Sequence, residues 1–150
     1  MAFLEITVDD REINEALQRL AEKTSDLSPA MRNIGEYMRM RAEENFANES
    51  SPDGSAWRAL SPKYAAQKQK RRGIDKILQF KGDLRASIAY QLQGKDGVAI
   101  GTNVAIGAYS LGAIHQLGAP RRNIPARPFL GVSDADVEEI VAIIEDFIGE

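Results

Sequence analysis

The stretch that most constrains this chain is Asn123-Ile124-Pro125-Ala126-Arg127-Pro128-Phe129-Leu130-Gly131-Val132-Ser133-Asp134. Each of its two prolines fixes its own φ at about −65° and steers the residue ahead of it away from helix. The result is a stiff extended strip that presents Arg127 and then delivers Phe129 and Leu130 to a core. Ser133, with Asp136 three residues on, reads as a capping-box-like start to a final helix. Strip, apolar anchor and helix cap together make a docking element, and nothing in them suggests bond-breaking chemistry.

Upstream, hydrophobic periodicity organises the rest. Leu4, Ile6 and Val8 alternate with polar residues as a short strand, and Asp10 is placed to cap a helix carrying Ile13, Leu17 and Leu20 on one face. Ser28-Pro29 is a cap followed by proline in the first helical position. A longer helix then runs to about Ala47, with Met31, Ile34, Met38, Ala42 and Phe46 as its apolar stripe. The two methionines are expected to be adaptable core packing. Pro52-Asp53-Gly54 is turn chemistry, and Trp57, directly after it, is expected to close that loop onto the core. Ser61-Pro62 opens another short helix with Tyr64 and Ala65. Ile88, Tyr90 and Leu92 alternate as a strand, Gly94 to Gly97 forms a hairpin loop, and Val98 and Ile100 return. A short helix is expected near Ala113 to Gln116, in an alanine- and glycine-rich segment that otherwise resists assignment. Val137, Ile140, Val141, Ile144 and Ile148 form the buried stripe of the last helix. The expectation is one α+β domain over residues 1–150, a small antiparallel sheet packed against a long N-terminal-half helix and a C-terminal helix.

Composition limits the chemistry. The chain of 150 residues holds no cysteine and one histidine, which removes disulfides, thiolate ligands and any multi-histidine metal site within one chain. No cofactor is expected. No apolar run approaches the roughly 20 residues needed to span a bilayer, and the N-terminus lacks the pattern of a signal peptide, so no membrane partner and a cytoplasmic place of synthesis are expected. His115 is the one candidate imidazole, but no Gly-x-Ser-x-Gly elbow accompanies it. The adjacent carboxylates Asp9-Asp10 and Glu43-Glu44 do not converge on one another. An enzyme is therefore not expected, and a hydrolase built on His115 is the least favoured reading.

Charge is unevenly spread. From Arg58 to Arg85 nine basic residues face two acids, within a chain of formal net charge −3. Lys68, Lys70, Arg71 and Arg72 form the densest part, ahead of Gly73, and read as a solvated loop. Such a loop could dock an acidic protein ring or track genome DNA in a channel. A nucleic-acid-binding module using residues 63–85 is the alternative reading, with Tyr64 and Trp57 nearby for stacking.

The order of motifs resembles the phage virion morphogenesis family, the tail-completion or neck proteins of Mu-like tailed bacteriophages. The motifs are Phe46, Ser51-Pro52-Asp53-Gly54, Trp57, Leu60-Ser61-Pro62, Ile77-Leu78, Gly82-Asp83-Leu84-Arg85, Val98-Ala99-Ile100-Gly101, His115-Gln116-Leu117-Gly118 and Ile124 to Gly131. The resemblance runs from about Ile34 to the last helix. One departure is that Leu111-Gly112-Ala113 stands where the family usually has Tyr-Ala ahead of His-Gln. The resemblance implies a structural virion protein, assembled in the host bacterial cytoplasm and placed at the neck or tail as a joining protein or tail terminator. It also implies self-association into a ring, by analogy a hexamer, and contact with other neck and tail proteins. Arg127, Trp57, His115 and Gln116 are the candidate interface residues, with Phe129 a fold anchor beside them.

Overall fold

A computed structural model of the chain describes residues 4–6, 10–72, 83–94, 96–106 and 109–149. Val8, Gly73, Ile74, Ile77, Leu78 and Phe80 lie outside them, as do Lys76, Lys81 and Gly82. The architecture is α+β. Strand β1 (Leu4–Ile6) precedes helices α1 (Arg11–Lys23), α2 (Ser28–Asn48), α3 (Pro62–Arg72) and α4 (Asp83–Ala86). Strands β2 (Ala89–Gln93), β3 (Gly97–Thr102), β4 (Ala105–Ile106) and β5 (Tyr109–Ser110) follow, then helices α5 (Leu111–Leu117) and α6 (Asp134–Gly149).

Strand β3 is central in an antiparallel sheet of order β1-β3-β2. The expected hairpin pairs Tyr90 with Ile100 and Leu92 with Val98. Along β2 the half-buried Tyr90 and Leu92 alternate with exposed Ala89, Gln91 and Gln93, the period of a strand with one covered face. The cover is α2, which lies across β2 and β3. Gly35 sits on its contact face, where a Cβ would come within 2.6 Å of the Tyr90 ring, so a residue without a side chain sets how closely helix and sheet approach.

On its other side α2 meets α6, and α6 also packs against α1. Helix α1 begins as expected, with Asp10 Oδ1 accepting from the Ile13 N–H at 3.0 Å. At its end the Lys23 ammonium reaches the terminal carbonyls of α6, 2.5 Å from that of Ile148, a cation at the negative end of a helix dipole. Helix α2 starts one residue differently from expectation. Leu27 is the boundary residue, Ser28 is already helical, and Asp26 receives the Ser28 N–H at 3.0 Å. Met31 and Met38 are buried in the core, as their spacing indicates.

One apolar cluster joins α1, α2, α6, β3 and the loops that carry Trp57 and Phe129. Phe46, Phe129 and Ile144 are among its fully enclosed side chains. A buried carboxylate ties α6 to α2 at the rim of this cluster. Asp136 is 1% exposed and accepts from the Tyr37 hydroxyl at 2.6 Å and from Arg41 Nε at 2.8 Å. It also completes the capping box: the Ser133 N–H donates to Asp136 at 3.0 Å, and the Asp136 N–H donates to Ser133 Oγ at 3.1 Å. Burial would raise the Asp136 pKa, but these hydrogen bonds to the charged form outweigh it and hold the carboxyl below the usual carboxylate range.

Candidate functional site

The proline strip is a clamped rod that buries Arg127, Phe129 and Leu130. Its backbone has no regular strand to pair with, so side chains and single carbonyls from elsewhere satisfy it. Gln116 takes the largest share. Its amide oxygen accepts from the N–H groups of Phe129 and Leu130 at 3.0 and 3.1 Å, and its amide nitrogen donates to the Leu130 carbonyl at 2.7 Å. Trp57 Nε1 donates to the Pro128 carbonyl at 2.6 Å. Asn45 donates to the Phe129 carbonyl at 3.0 Å from inside the core. The Arg127 N–H, the one amide between the two prolines besides that of Ala126, donates to the His115 carbonyl at 2.7 Å.

Aromatic packing finishes the clamp. Phe46 lies 5.6 Å from Trp57 in an edge-on arrangement and 5.2 Å from Phe129, geometry that favours ring quadrupoles. The chain enters the strip through a tight hairpin in which Ala119 and Ile124 bridge around a 3-10 turn, Pro120–Arg122. Gly118 makes that entry possible. Its φ is +80, and a Cβ there would stand 2.8 Å from the Ala126 nitrogen, so both conformation and space require glycine.

Trp57, His115, Gln116 and Arg127 are thus brought together, although they come from three separate parts of the sequence. Arg127 is not left facing outward. Only 7% exposed, its guanidinium donates to the carbonyl of Arg58 at 2.8 Å and to that of Ala59 at 3.3 Å. The reason is geometric: the strip carries Arg127 and Phe129 two residues apart on the same buried side, and the loop after Trp57 supplies acceptors. Burial and the cation of Arg58 pull the Arg127 pKa down, while Glu49 and Tyr64 favour the charged form.

The basic run departs from expectation in the same way. Lys68, Lys70, Arg71 and Arg72 belong to α3 and not to a solvated loop. Ser61 caps the helix, its Oγ accepting the Tyr64 N–H at 3.3 Å. Alanine, glutamine, lysine and arginine are all strong helix formers, which outweighs the few tenths of a kcal/mol of like-charge repulsion per turn. Lys68 is 2% exposed and faces inward toward His115, whereas Lys63 and Lys70 are exposed. The basic run therefore divides between an inner and an outer face.

His115 stands between these buried cations. Its Nδ1 is shielded from solvent and has no hydrogen-bond partner among the described residues. Burial first, then the charges of Arg127 and Lys68, press its pKa below 6.5. The folded protein thus binds fewer protons here than the unfolded chain. The contribution to stability is fully present above pH 6.5 and is lost as pH falls through the folded value. A urea midpoint that declines from pH 7 to pH 5 is the expected result, and His115→Phe should flatten that decline. An unchanged slope in the variant would rule out His115 as its source.

Sequence reasoning missed Asn45 and the two carbonyls at Arg58 and Ala59. Asn45 had left a trace, a polar residue on the apolar stripe between Ala42 and Phe46. The carbonyls had left none, because backbone acceptors carry no sequence signature. Among the described residues no group of three or more His, Asp or Glu side chains could hold a metal ion, and no helix is long and apolar enough to cross a membrane.

The chain is 31% identical to the Mu-like prophage FluMu G protein 1 of Haemophilus influenzae, over 98% of this chain and 96% of the relative. A second prophage protein of that bacterium, FluMu G protein 2, is also 31% identical, over 97% and 96%. The putative capsid assembly protein G of Escherichia phage Mu is 32% identical, over 91% of this chain and 88% of its own length. No solved structure matches significantly. The model of the phage virion morphogenesis family matches residues 8–148, from just ahead of α1 into the last turn of α6. With the strip, its clamp and the helices that hold them all inside that span, the chain belongs to the phage virion morphogenesis family.

Proposed function

We propose that this protein is a non-enzymatic structural component of the virion that completes the tail or joins it to the head, acting as a ring of identical copies docked to neighbouring neck and tail proteins. The observation that carries the reading is how the polar side chains at the clamp are used. Gln116, Trp57 and Asn45 are spent on backbone groups of one rigid strip, and Arg127 of that strip is spent on the carbonyls of the loop after Trp57. A reactive centre needs convergent side chains aimed at a substrate; here they converge on the protein's own chain. The relative in phage Mu bears the name of a capsid assembly protein, which supports an assembly role for this chain too.

The hub is the rigid platform, and contact with other proteins falls to what surrounds it. Lys70, Arg71 and Arg72 at the end of α3 serve as an electrostatic contact to an acidic neighbouring ring. Arg71→Glu with Arg72→Glu should leave the fold intact by circular dichroism while blocking completion of tailed particles in a complementation assay. Normal infectious titre from that variant would sink this contact. A nucleic-acid-binding module is the second reading, favoured by the basic excess between Arg58 and Arg85. It would show as a salt-dependent DNA shift by the isolated chain, but the burial of Lys68 removes one of its phosphate contacts.

A further inference from the structure

The charge of this chain is segregated along its sequence. Residues 58–127 hold thirteen lysines and arginines against three acids, while residues 134–150 hold seven acids and no basic residue. Among the described residues, the acids of the second stretch lie on α6 and the basic residues of the first lie on α3, α4, the clamp loops and the turn after α5. Two surface features stand out against this division. Leu117, the last residue of α5, is 72% exposed, more than Met40 or Tyr64, the other large exposed apolar side chains among the described residues. Directly after it the 3-10 turn carries Arg121 and Arg122, both exposed.

We propose that this ridge, Leu117 to Arg122, is one half of a head-to-tail contact between copies of the chain, seated on the outer face of α6 of the next copy. The proposal rests on the assembly reading above and names the surfaces it would use. The outer face of α6 is formed by Asp134, Ala135, Glu138, Glu139, Ala142 and Asp146, all exposed. Glu145 beside them already pairs with Arg19 at 3.3 Å. The two alanines are small apolar side chains among the carboxylates, a pattern complementary to a leucine followed by two arginines.

Three physical points favour a second copy as the occupant. The complementary charge is on the same molecule. An exposed leucine gains nothing from a phosphate backbone but gains from apolar side chains. The ridge is also held rigid before binding. The Gly118 N–H donates to the Ile114 carbonyl at 2.8 Å, Ala119 and Ile124 exchange bonds of 2.8 and 3.1 Å, and Gln116 and the His115 carbonyl are bonded to the strip behind it. Little conformational freedom is left to lose on association. Ridge and α6 face are different surfaces, so the contact is heterologous and propagates from copy to copy until it closes.

The test is sedimentation velocity on the full chain at low and high salt. Wild type should associate, more weakly at high salt. A ridge variant, Leu117→Asp or Arg121→Glu/Arg122→Glu, should lose association by about tenfold or more, and so should the face variant Glu138→Arg/Glu139→Arg. Their circular dichroism should stay that of wild type, since every substituted side chain is exposed. Mixing the two charge-reversed variants should restore association, because the acidic ridge of one fits the basic face of the other. A monomeric wild type, ridge variants that still associate, or folded variants whose mixture stays monomeric would each overturn the proposal. A monomer whose low-salt DNA shift depends on Arg121 would overturn it in favour of nucleic acid. Association that ignores the ridge, in a chain that still completes particles, would overturn the surface assignment and leave the assembly reading standing.

Discussion

Gln116→Ala will destabilise the fold by about 3 kcal/mol, read as a shift in urea unfolding followed through Trp57, the single tryptophan. The substitution strands three backbone groups at once: the N–H groups of Phe129 and Leu130 and the carbonyl of Leu130. A buried group left without a partner costs about 1–3 kcal/mol, and water entering the gap would recover part of that. The loss is large against the about 5–15 kcal/mol that holds an ordinary domain together. Gln116→Glu sharpens the test. It keeps an oxygen for the two N–H groups but turns a second oxygen toward the Leu130 carbonyl in place of a donor. Glutamate should therefore fail to rescue, although it is nearly isosteric. A midpoint for the alanine variant within about 0.5 kcal/mol of wild type would show that the strip holds its shape without the clamp.

Asp136→Ala should also cost about 3 kcal/mol, for a different reason. Removing one partner of a buried charge pair commonly costs about 3–5 kcal/mol, because the other is left uncompensated. Arg41 is less exposed to that penalty than most. Its side chain keeps 24% exposure and a second carboxylate, Glu44, at 2.6 Å, so the lower end of the range applies. The Tyr37 hydroxyl, its pKa raised by burial and by the bond to Asp136, and the Ser133 N–H lose their acceptor as well. Asp136→Asn, which keeps the volume but not the charge, should cost less. The pH dependence separates this site from His115. The Asp136 pKa is depressed in the folded state, so its contribution is present above pH 3.8 and lost as pH falls through the lower folded value. Wild type should thus lose stability in two windows, one below pH 6.5 and one below 3.8, and Asp136→Asn should remove the second only. A variant that keeps the full acid limb would show that other carboxylates govern it.

Much of the fold was legible because its elements obey local rules. Asp10 and the Ser133–Asp136 pair cap helices where their spacing says they should. The stripe from Met31 to Phe46 is core, and the hairpin around Gly94 forms as an alternating pattern with a glycine turn requires. The basic run was misread because charge density was taken as a sign of solvation. Helix propensity acts on the same residues regardless of charge, and one lysine in the run lies at the helical position that faces the hub. The site was harder to read than the fold. That the prolines make an extended strip follows from stereochemistry at two positions. What satisfies that strip depends on which loops the fold brings alongside it.

The sequence by itself determined that Ile124 and Arg127, each ahead of a proline, would be steered away from helix, that Phe129 and Leu130 would be anchors, and that no thiolate or multi-histidine site could exist in one chain. Tertiary structure alone decided the rest. It turned Arg127 inward onto the carbonyls of Arg58 and Ala59, made Gln116 the clamp, and left Leu117 outside. The physical reason is range. φ restrictions, caps and periodicity act over a few residues and are written in residue type, whereas burial and backbone acceptors are set by segments about seventy positions apart, joined through bonds such as Trp57 to Pro128.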